Sequence, residues 1–294
     1  MASAAHGSFR RVLAALALLA RFSPIGLAGC RPVVVEKSYV EPASKRPYRV
    51  FVRRDHDGKA PAGVLFALHA YATSSDVLPA AFGLKHGAAG ERDLLVVIPE
   101  GEKDDDGNPF WNASRACCGK TAREPDDIAY LRGVLADVKK SYAVDAERVY
   151  ALGVSNGAFM AQRWACSTAD LRGIVAISGA GPGPSDAPCR AERPVHVLAI
   201  HGDEDDVIAY GGGMGTKARY PSARATVETW AKLNGAKGPP SESSGFSLFH
   251  GRTARLEWTS PRANVTLWTF EGGGHNLRSP RFAIDEMLDF LEAR

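Results

Sequence analysis

The sequence predicts an α/β fold in which a mostly parallel sheet carries helices on both faces. Three observations indicate this fold. Short strands are apolar almost throughout, helical patterns alternate with them, and 294 residues of ordinary globular composition suffice for one large core. We expect a single domain over residues 48–294, after an export signal over residues 1–29 and a linker over residues 30–47.

The elements follow one another in a regular order. The predicted strands are "YRVFVRR", "GVLFALHA", "DLLVVIPEG", "RVYALGV", "GIVAISG" and "VHVLAIHG", followed by the hairpin "ARLEWTSPRANVTLWTFE". The predicted helices are residues 126–142, "GAFMAQRWACS", "SARATVETWAKLNG" and "SPRFAIDEMLDFLEAR". The polar loop over residues 102–125 is too long for a simple connection, so we expect it to shape a site.

The N-terminal residues have the pattern of an export signal. Arg10 and Arg11 precede "VLAALALLA", which is too short to span a bilayer but has the length of a signal-peptide core. The stretch "LAGC" resembles a bacterial lipoprotein processing box, in which Cys30 becomes the lipidated first residue. We therefore expect an extracellular or cell-envelope protein whose contact with a membrane is made through that lipid.

The five cysteines fit this compartment. With Cys30 lipidated, Cys117, Cys118, Cys166 and Cys189 remain as an even set, which fits two disulfides. We expect Cys166 to bond Cys189, because the helix that carries Cys166 ends near the segment leading into "RPVHVLAI". The spacing of cysteines and histidines is not that of a zinc site, so no metal or other cofactor is expected.

A serine between two glycines is the strongest chemical signal. In "RVYALGVSNGAFM", an apolar strand passes into a helix at Gly153-Val154-Ser155-Asn156-Gly157. A turn this tight holds one side chain clear of the sheet and leaves no room for side chains at the flanking positions, which is the nucleophile elbow. Ser155 is the predicted nucleophile, and the Asn156 N–H at the helix start is a predicted oxyanion donor.

The base that activates this serine should follow it in the chain. Of His196, His201, His250 and His275, the first lies inside an apolar strand, where packing is the ordinary role. His275 follows a strand and three glycines in "FEGGGHN", which lets the backbone return over the sheet. We therefore predict His275 as the base. The acid belongs in "HGDEDD", where position alone admits Asp203, Glu204, Asp205 and Asp206.

Several stretches of the sequence resemble motifs of a known family. The stretches "LGVSNGAFM", "FWNASRACCG" with "DDIAYLR", "HGDEDDVIAYGGG" and "FEGGGH" are similar to those of exported polyhydroxybutyrate depolymerases and feruloyl esterases of carbohydrate esterase family 1. The resemblance implies an α/β-hydrolase fold, a Ser/Asp/His triad without metal, and hydrolysis of polymeric or oligomeric esters. It aligns the triad acid with Asp205 and the second oxyanion N–H with Tyr71.

The sequence departs from the family pattern at two places. Ala70 and Ala72 occupy glycine positions around Tyr71, and "NLRSP" follows His275 in place of Trp-Pro-Gly. Trp111, the loop that holds Cys117 and Cys118, and His69 are the candidate substrate contacts, although packing is nearly as good an account of Trp111.

Composition excludes one class of partner and leaves other functions open. A net charge of +3 from 36 basic and 33 acidic residues, with no basic block, is not the footprint of a nucleic-acid binder. Besides a serine esterase, three alternatives stay open. The first is a peptidase of the prolyl oligopeptidase type, which shares the fold and triad order. The second is a catalytically weak ligand-binding lipoprotein, and the third is a surface protein without a site.

Overall fold

The computed structural model describes residues 32–118, 121, 123–248, 251–276 and 283–293. All of them belong to one compact unit, Pro32–Arg294. The predicted export signal over residues 1–29 and the predicted lipidation at Cys30 lie outside the described residues. Within the described ranges, no helix is long and apolar enough to cross a membrane.

Fourteen strands are described in these residues, and ten of them form one sheet. In chain order the strands are β1 Val34–Val40, β2 Pro47–Arg53, β3 Ala62–Leu68, β4 Leu94–Pro99, β5 Glu102–Lys103, β6 Pro109–Phe110, β7 Val144–Val154, β8 Gly173–Ile177, β9 His196–Gly202, β10 Gly213–Met214, β11 Arg219–Tyr220, β12 Ser241–Leu248, β13 Gly251–Trp258 and β14 Val265–Phe270. The main sheet has the order β1-β2-β4-β3-β7-β8-β9-β14-β13-β12, and β5 with β6 and β10 with β11 form small hairpins.

The centre of the sheet is parallel and its edges are antiparallel. Strands β4, β3, β7, β8, β9 and β14 run parallel to their neighbours in this block. Every residue of β3, β4, β8 and β9 is buried. Strands covered on both faces need apolar residues at every position, which explains why their sequences do not alternate.

Helices cover both faces of the sheet. The helices are α1 Leu78–Ala81, α2 Asp127–Ser141, α3 Asn156–Ser167, α4 Ala223–Leu233 and α5 Ile284–Glu292, with a 3-10 turn at Ser75–Val77 and a π-helical turn at Gly87–Glu91. One buried cluster joins α2, α3 and α4 to the sheet through Leu131, Trp164 and Trp230. A second cluster joins α5 to the other face through Met287 and Leu288.

Local sequence explains where two of these helices begin. The Asp126 side chain accepts a hydrogen bond from the Ala129 N–H at the start of α2, and Ser222 does the same for Ala225 at the start of α4. Such caps satisfy N–H groups that have no partner within the helix.

The structure differs from the sequence predictions at the two edges. Residues 34–40, expected within a linker, form β1, which pairs with β2 along its whole length. The predicted hairpin of β13 and β14 is present, but a further strand, β12, pairs with β13 at the outer edge. Both additions lie outside the parallel core that positions the site.

Candidate active site

Ser155 lies in a strained turn between β7 and α3. Its backbone has φ 52° and ψ −117°, in the positive-φ region that residues other than glycine rarely adopt. A Cβ at Gly153 would collide with the Gly157 carbonyl, and a Cβ at Gly157 would collide with the Leu68 carbonyl. The two flanking glycines are therefore a steric requirement of the turn.

Three side chains form one hydrogen-bonded chain at the carboxyl ends of β7, β9 and β14. His275 Nε2 lies 3.0 Å from Ser155 Oγ, and His275 Nδ1 lies 2.8 Å from Asp205 Oδ2. With Asp205 ionised, Nδ1 carries the proton and donates it to the carboxylate, so Nε2 of the neutral ring accepts from the serine hydroxyl. The geometry is that of a nucleophile, a base and an orienting acid.

Asp205 is the one acid of its loop that the fold buries, because Asp203, Glu204 and Asp206 are exposed. Its Oδ1 accepts hydrogen bonds from the N–H groups of Val207 and Ile208. Burial alone would raise the pKa of Asp205, but hydrogen bonds from His201, His275 and the Ile208 N–H outweigh it and lower the pKa to about 2. The carboxylate is therefore ionised over the whole neutral and mildly acidic range.

The loop that carries His275 is tied to its neighbours through backbone and side-chain hydrogen bonds. Asp203 Oδ1 accepts from the Gly272 N–H at 2.7 Å, and the Glu204 N–H donates to the Gly273 carbonyl. Ser178 Oγ donates to the His275 carbonyl at 3.2 Å. Sequence reasoning gave no role to Ser178 and treated Asp203 only as a candidate triad acid, because long-range pairing leaves no local signal.

The start of α3 leaves N–H groups available beside the serine. Ser155 occupies the N-cap position, where a serine side chain usually accepts from the first turn, but its Oγ contacts His275 instead. The Asn156 N–H is the first of the helix, and it has no intrahelical acceptor. Its position beside the nucleophile fits the predicted oxyanion donor, a role that stays a prediction.

Tyr71 lies in the loop that follows β3, and this loop packs against the start of α3. Leu68, at the end of β3, is in register with Gly153 on β7, which brings this loop beside the elbow. The Tyr71 hydroxyl donates to Asp104 Oδ2 at 2.7 Å, so its side chain is directed to the loop after β5. Ala72 has φ 55°, which explains why a glycine is typical at this position.

The Asn156 side chain holds the polar loop that sequence analysis singled out. Its Oδ1 accepts from the Trp111 N–H at 2.6 Å, and its Nδ2 donates to the Trp111 carbonyl at 3.0 Å. Asn156 is fully buried. The residue after the nucleophile thus anchors the loop with its side chain.

The structure corrects two predicted substrate contacts. Trp111 and His69 each have 0% of their surface exposed, so neither side chain is available to contact a substrate. The Trp111 indole N–H donates to the His69 carbonyl at 3.0 Å, and His69 Nε2 accepts from the Gly101 N–H at 2.8 Å. Burial lowers the pKa of His69, which favours the neutral ring that this bond requires. Both residues pack between the end of β3 and the polar loop.

Four cysteines form two disulfides in the described part of the chain. Cys166 at the end of α3 bonds Cys189, the pairing expected from the sequence. The neighbouring Cys117 and Cys118 bond each other, a pairing that sequence reasoning left open. The Cys117 sulfur lies 3.8 Å from Asn156 Nδ2, which places this disulfide against the start of α3.

A cleft of about 270 Å³ runs along α3 from one turn beyond the serine. Phe159 and Arg163 form its floor on the helix, and Ala180 and Gly181 follow from the end of β8. Most of its other lining residues are polar: Asn112, Ser114, Arg115, Glu124, Ser167, Ser185 and Asp186. The Arg163 guanidinium donates to the Asn112 carbonyl at 2.5 Å.

Comparison with known proteins is consistent with the site. A profile described as phospholipase/carboxylesterase matches residues 126–234, which include Ser155 and Asp205. Feruloyl esterase B of Piromyces equi is 28% identical over 179 residues, 56% of this chain and 31% of that protein. Feruloyl esterase C of Emericella nidulans is 23% identical over 276 residues, 89% of each chain. The chain thus spans about a third of the Piromyces protein.

Solved structures support the fold. The acetyl xylan esterase from Aspergillus awamori superposes with a TM-score of 0.61 at 14% identity, covering 87% of this chain and 98% of that chain. At this identity the likeness concerns the fold alone. The predicted α/β-hydrolase fold is confirmed.

Proposed function

We propose that the protein is an exported serine esterase that hydrolyses carboxylic esters through an acyl-enzyme. The observation that carries the proposal is the continuous hydrogen-bonded chain from Ser155 Oγ through His275 to Asp205. The similarity to proteins named feruloyl esterase and the profile match over residues 126–234 support the same reaction class. Asp205, His275 and Ser155 take the roles of orienting acid, base and nucleophile.

The chemistry follows from this arrangement in two steps. Ser155 Oγ attacks the ester carbonyl carbon while His275 Nε2 takes the hydroxyl proton, and the imidazolium then gives that proton to the departing alcohol oxygen. Water next attacks the acyl-enzyme, losing a proton to His275 Nε2, and the returned proton restores the Ser155 hydroxyl as the acid leaves. Asp205 stabilises the imidazolium in both steps.

The oxyanion donors in this proposal are the backbone N–H groups of Asn156 and Tyr71. Asn156 supplies the first N–H of α3, where the helix dipole also favours negative charge. Tyr71 supplies the second from the loop that packs against the elbow. Loss of one such donor typically costs about 100- to 1000-fold in kcat.

The substrate class in this proposal is a feruloyl or acetyl ester of a polysaccharide. The cleft along α3 offers the charged groups of Arg163, Glu124 and Asp186 for sugar hydroxyls. A second substrate class, oligoesters of the polyhydroxybutyrate type, rests on the resemblance of the sequence motifs. The proposal includes export and attachment through a lipid on Cys30, based on "VLAALALLA" and "LAGC".

The proposal is tested by turnover of defined esters with purified wild type and Ser155→Ala. We expect wild type to hydrolyse p-nitrophenyl acetate, methyl ferulate or a hydroxybutyrate trimer, and Ser155→Ala to lose that activity. Ser141→Ala is a matched control, since Ser141 is an exposed serine at the end of α2 and is not among the residues that line the cleft. The ranking of the three esters decides between the two substrate classes.

Three outcomes contradict the proposal. Equal turnover by wild type and Ser155→Ala shows that the serine is not the nucleophile. A wild type that cleaves a prolyl p-nitroanilide but none of the esters favours the peptidase alternative, and one that binds ferulate without turnover favours the lipoprotein alternative.

A further inference from the structure

A second histidine, His201, contacts the same carboxylate as His275. His201 Nε2 lies 3.2 Å from Asp205 Oδ2 and 2.7 Å from the Ile208 carbonyl oxygen. The side chain is buried, and its ring makes an edge contact with the ring of Tyr210 at 5.8 Å between centroids. His201 is the second-last residue of β9, so a rigid strand holds the imidazole in place.

These two contacts define which nitrogen of His201 carries a proton. Both atoms that face Nε2 are oxygens, and both are acceptors at neutral pH. An unprotonated Nε2 would direct its lone pair at two oxygens, whereas an Nε2–H group donates to both. The geometry therefore requires His201 to present Nε2–H to the Asp205 carboxylate and to the Ile208 carbonyl.

The His201 Nε2–H group closes the turn that contains Asp205. Asp205 Oδ1 accepts from the N–H groups of Val207 and Ile208 at one end, and the Ile208 carbonyl accepts from His201 at the other. Oδ2 is then shared between His201 and His275. The carboxylate is thereby held at both oxygens, with one edge presented to His275.

We propose that His201 is a positioning residue that fixes the Asp205 carboxylate for its hydrogen bond to His275. The inference rests on the proposed function, because the positioning has a kinetic effect only where this chain of groups performs the hydrolysis. A carboxylate that rotates away from His275 Nδ1 no longer fixes the tautomer or stabilises the imidazolium. Replacement of a triad Asp by Asn costs about 10⁴-fold in kcat, so partial misalignment should cost less, about 10- to 100-fold.

A matched pair of variants isolates the donor. In His201→Gln the side-chain amide NH₂ reaches about where Nε2 lies, whereas in His201→Met a side chain of similar length and volume has no donor. We expect kcat of His201→Met to fall about 10- to 100-fold with KM within about twofold, and kcat of His201→Gln to stay within about fivefold of wild type. The acid limb of the kcat/KM profile should move to lower pH in the Met variant alone, because the imidazolium of His275 loses stabilisation.

His196→Met is the control for replacing a buried histidine of the same strand. His196 lies at the opposite end of β9 and is also buried. Its variant should change stability without moving kcat per active site or the acid limb. Active sites are counted by titration with a serine-directed inhibitor, so a smaller folded fraction is separated from slower chemistry.

A measurement on unmodified protein shows whether His201 Nε2 donates this hydrogen bond, independently of how the variants fold. Long-range ¹H–¹⁵N spectra of ¹⁵N-histidine-labelled wild type at pH 8 should show the Nε2–H tautomer for His201, and the Nδ1–H tautomer would overturn the inference. Met and Gln variants with equal kcat and equal acid limbs would also overturn it. Absence of ester turnover in wild type counts against the proposed function instead, and the spectra still report the His201 tautomer.

Discussion

Replacing Asn156 by alanine should destabilise the loop around Trp111 while leaving the oxyanion N–H in place. The change removes two fully buried hydrogen bonds, at 2.6 Å to the Trp111 N–H and at 3.0 Å to its carbonyl. The carbonyl keeps a second donor, the Ala113 N–H at 2.8 Å. The Trp111 N–H is left buried without a partner, which costs about 1–3 kcal/mol of stability. Loss of the hydrogen bond from Asn156 Nδ2 to the Trp111 carbonyl costs about 0.5–1.5 kcal/mol more.

We therefore expect the free energy of unfolding to fall by about 1.5–4.5 kcal/mol in urea titrations. Asn112→Ala is the matched control, because its half-buried amide donates to the Pro125 carbonyl, which also accepts from the Asp127 N–H. This control should lose about 1 kcal/mol or less. The kcat per folded Asn156→Ala molecule should fall less than the ~100-fold expected for a lost oxyanion donor. Equal unfolding free energies for the two variants would refute the reasoning.

Three other predictions concern the acid, the cysteines and the loop after β3. Asp205→Asn should lower kcat/KM by about 10⁴-fold, whereas Asp206→Asn should leave it nearly unchanged, and the reverse order would show that Asp206 is the acid. Double replacement of Cys166 and Cys189 by serine should lower the free energy of unfolding by about 3 kcal/mol, because the disulfide closes a separation of 23 residues; a loss below about 1 kcal/mol contradicts this. Ala72→Gly should raise stability by up to about 1 kcal/mol, since φ is 55°, and a loss of stability would show that the methyl group packs favourably.

Much of the fold could be predicted because it depends on local patterns. Apolar runs gave the parallel strands, and helical spacing gave α2, α3 and α4 close to their observed ends. The edge strand β12 was missed because polar and small residues dominate "SESSGFSL". The edge strand β1, "VVEKSYV", was assigned to the linker although it holds three valines and a tyrosine. An edge strand forms because a neighbour offers its hydrogen bonds, which the strand's own sequence shows only weakly.

The residues of the candidate site also differ in whether a local sequence pattern predicts them. Ser155 and His275 have local signals, the glycines around the elbow and the glycines before the histidine. Position alone left four acids, and only resemblance favoured Asp205. In the structure, burial and the N–H groups of Val207 and Ile208 distinguish that residue from its neighbours. His201 has no local signal of its role, because that role depends on a turn that folds back onto its own strand.

Trp111 illustrates the opposite error. An aromatic residue in a long polar loop suggests a substrate wall, but this indole N–H donates to a backbone carbonyl and the ring is fully buried. Long loops need their own packing to hold their shape, and large aromatic side chains supply it. The residue types of a loop therefore do not show whether an aromatic side chain lines a cleft or packs inside the loop.

The most direct test of the central claim is covalent labelling of the nucleophile. Wild type inactivated by a diethyl p-nitrophenyl phosphate should gain one diethylphosphoryl group, mapped by peptide mass spectrometry to Ser155, in proportion to the loss of p-nitrophenyl butyrate hydrolysis. Ser155→Ala should remain unlabelled and inactive, whereas Ser141→Ala should label and turn over like wild type. Labelling of another residue in step with inactivation, or ester turnover by Ser155→Ala, would contradict the account.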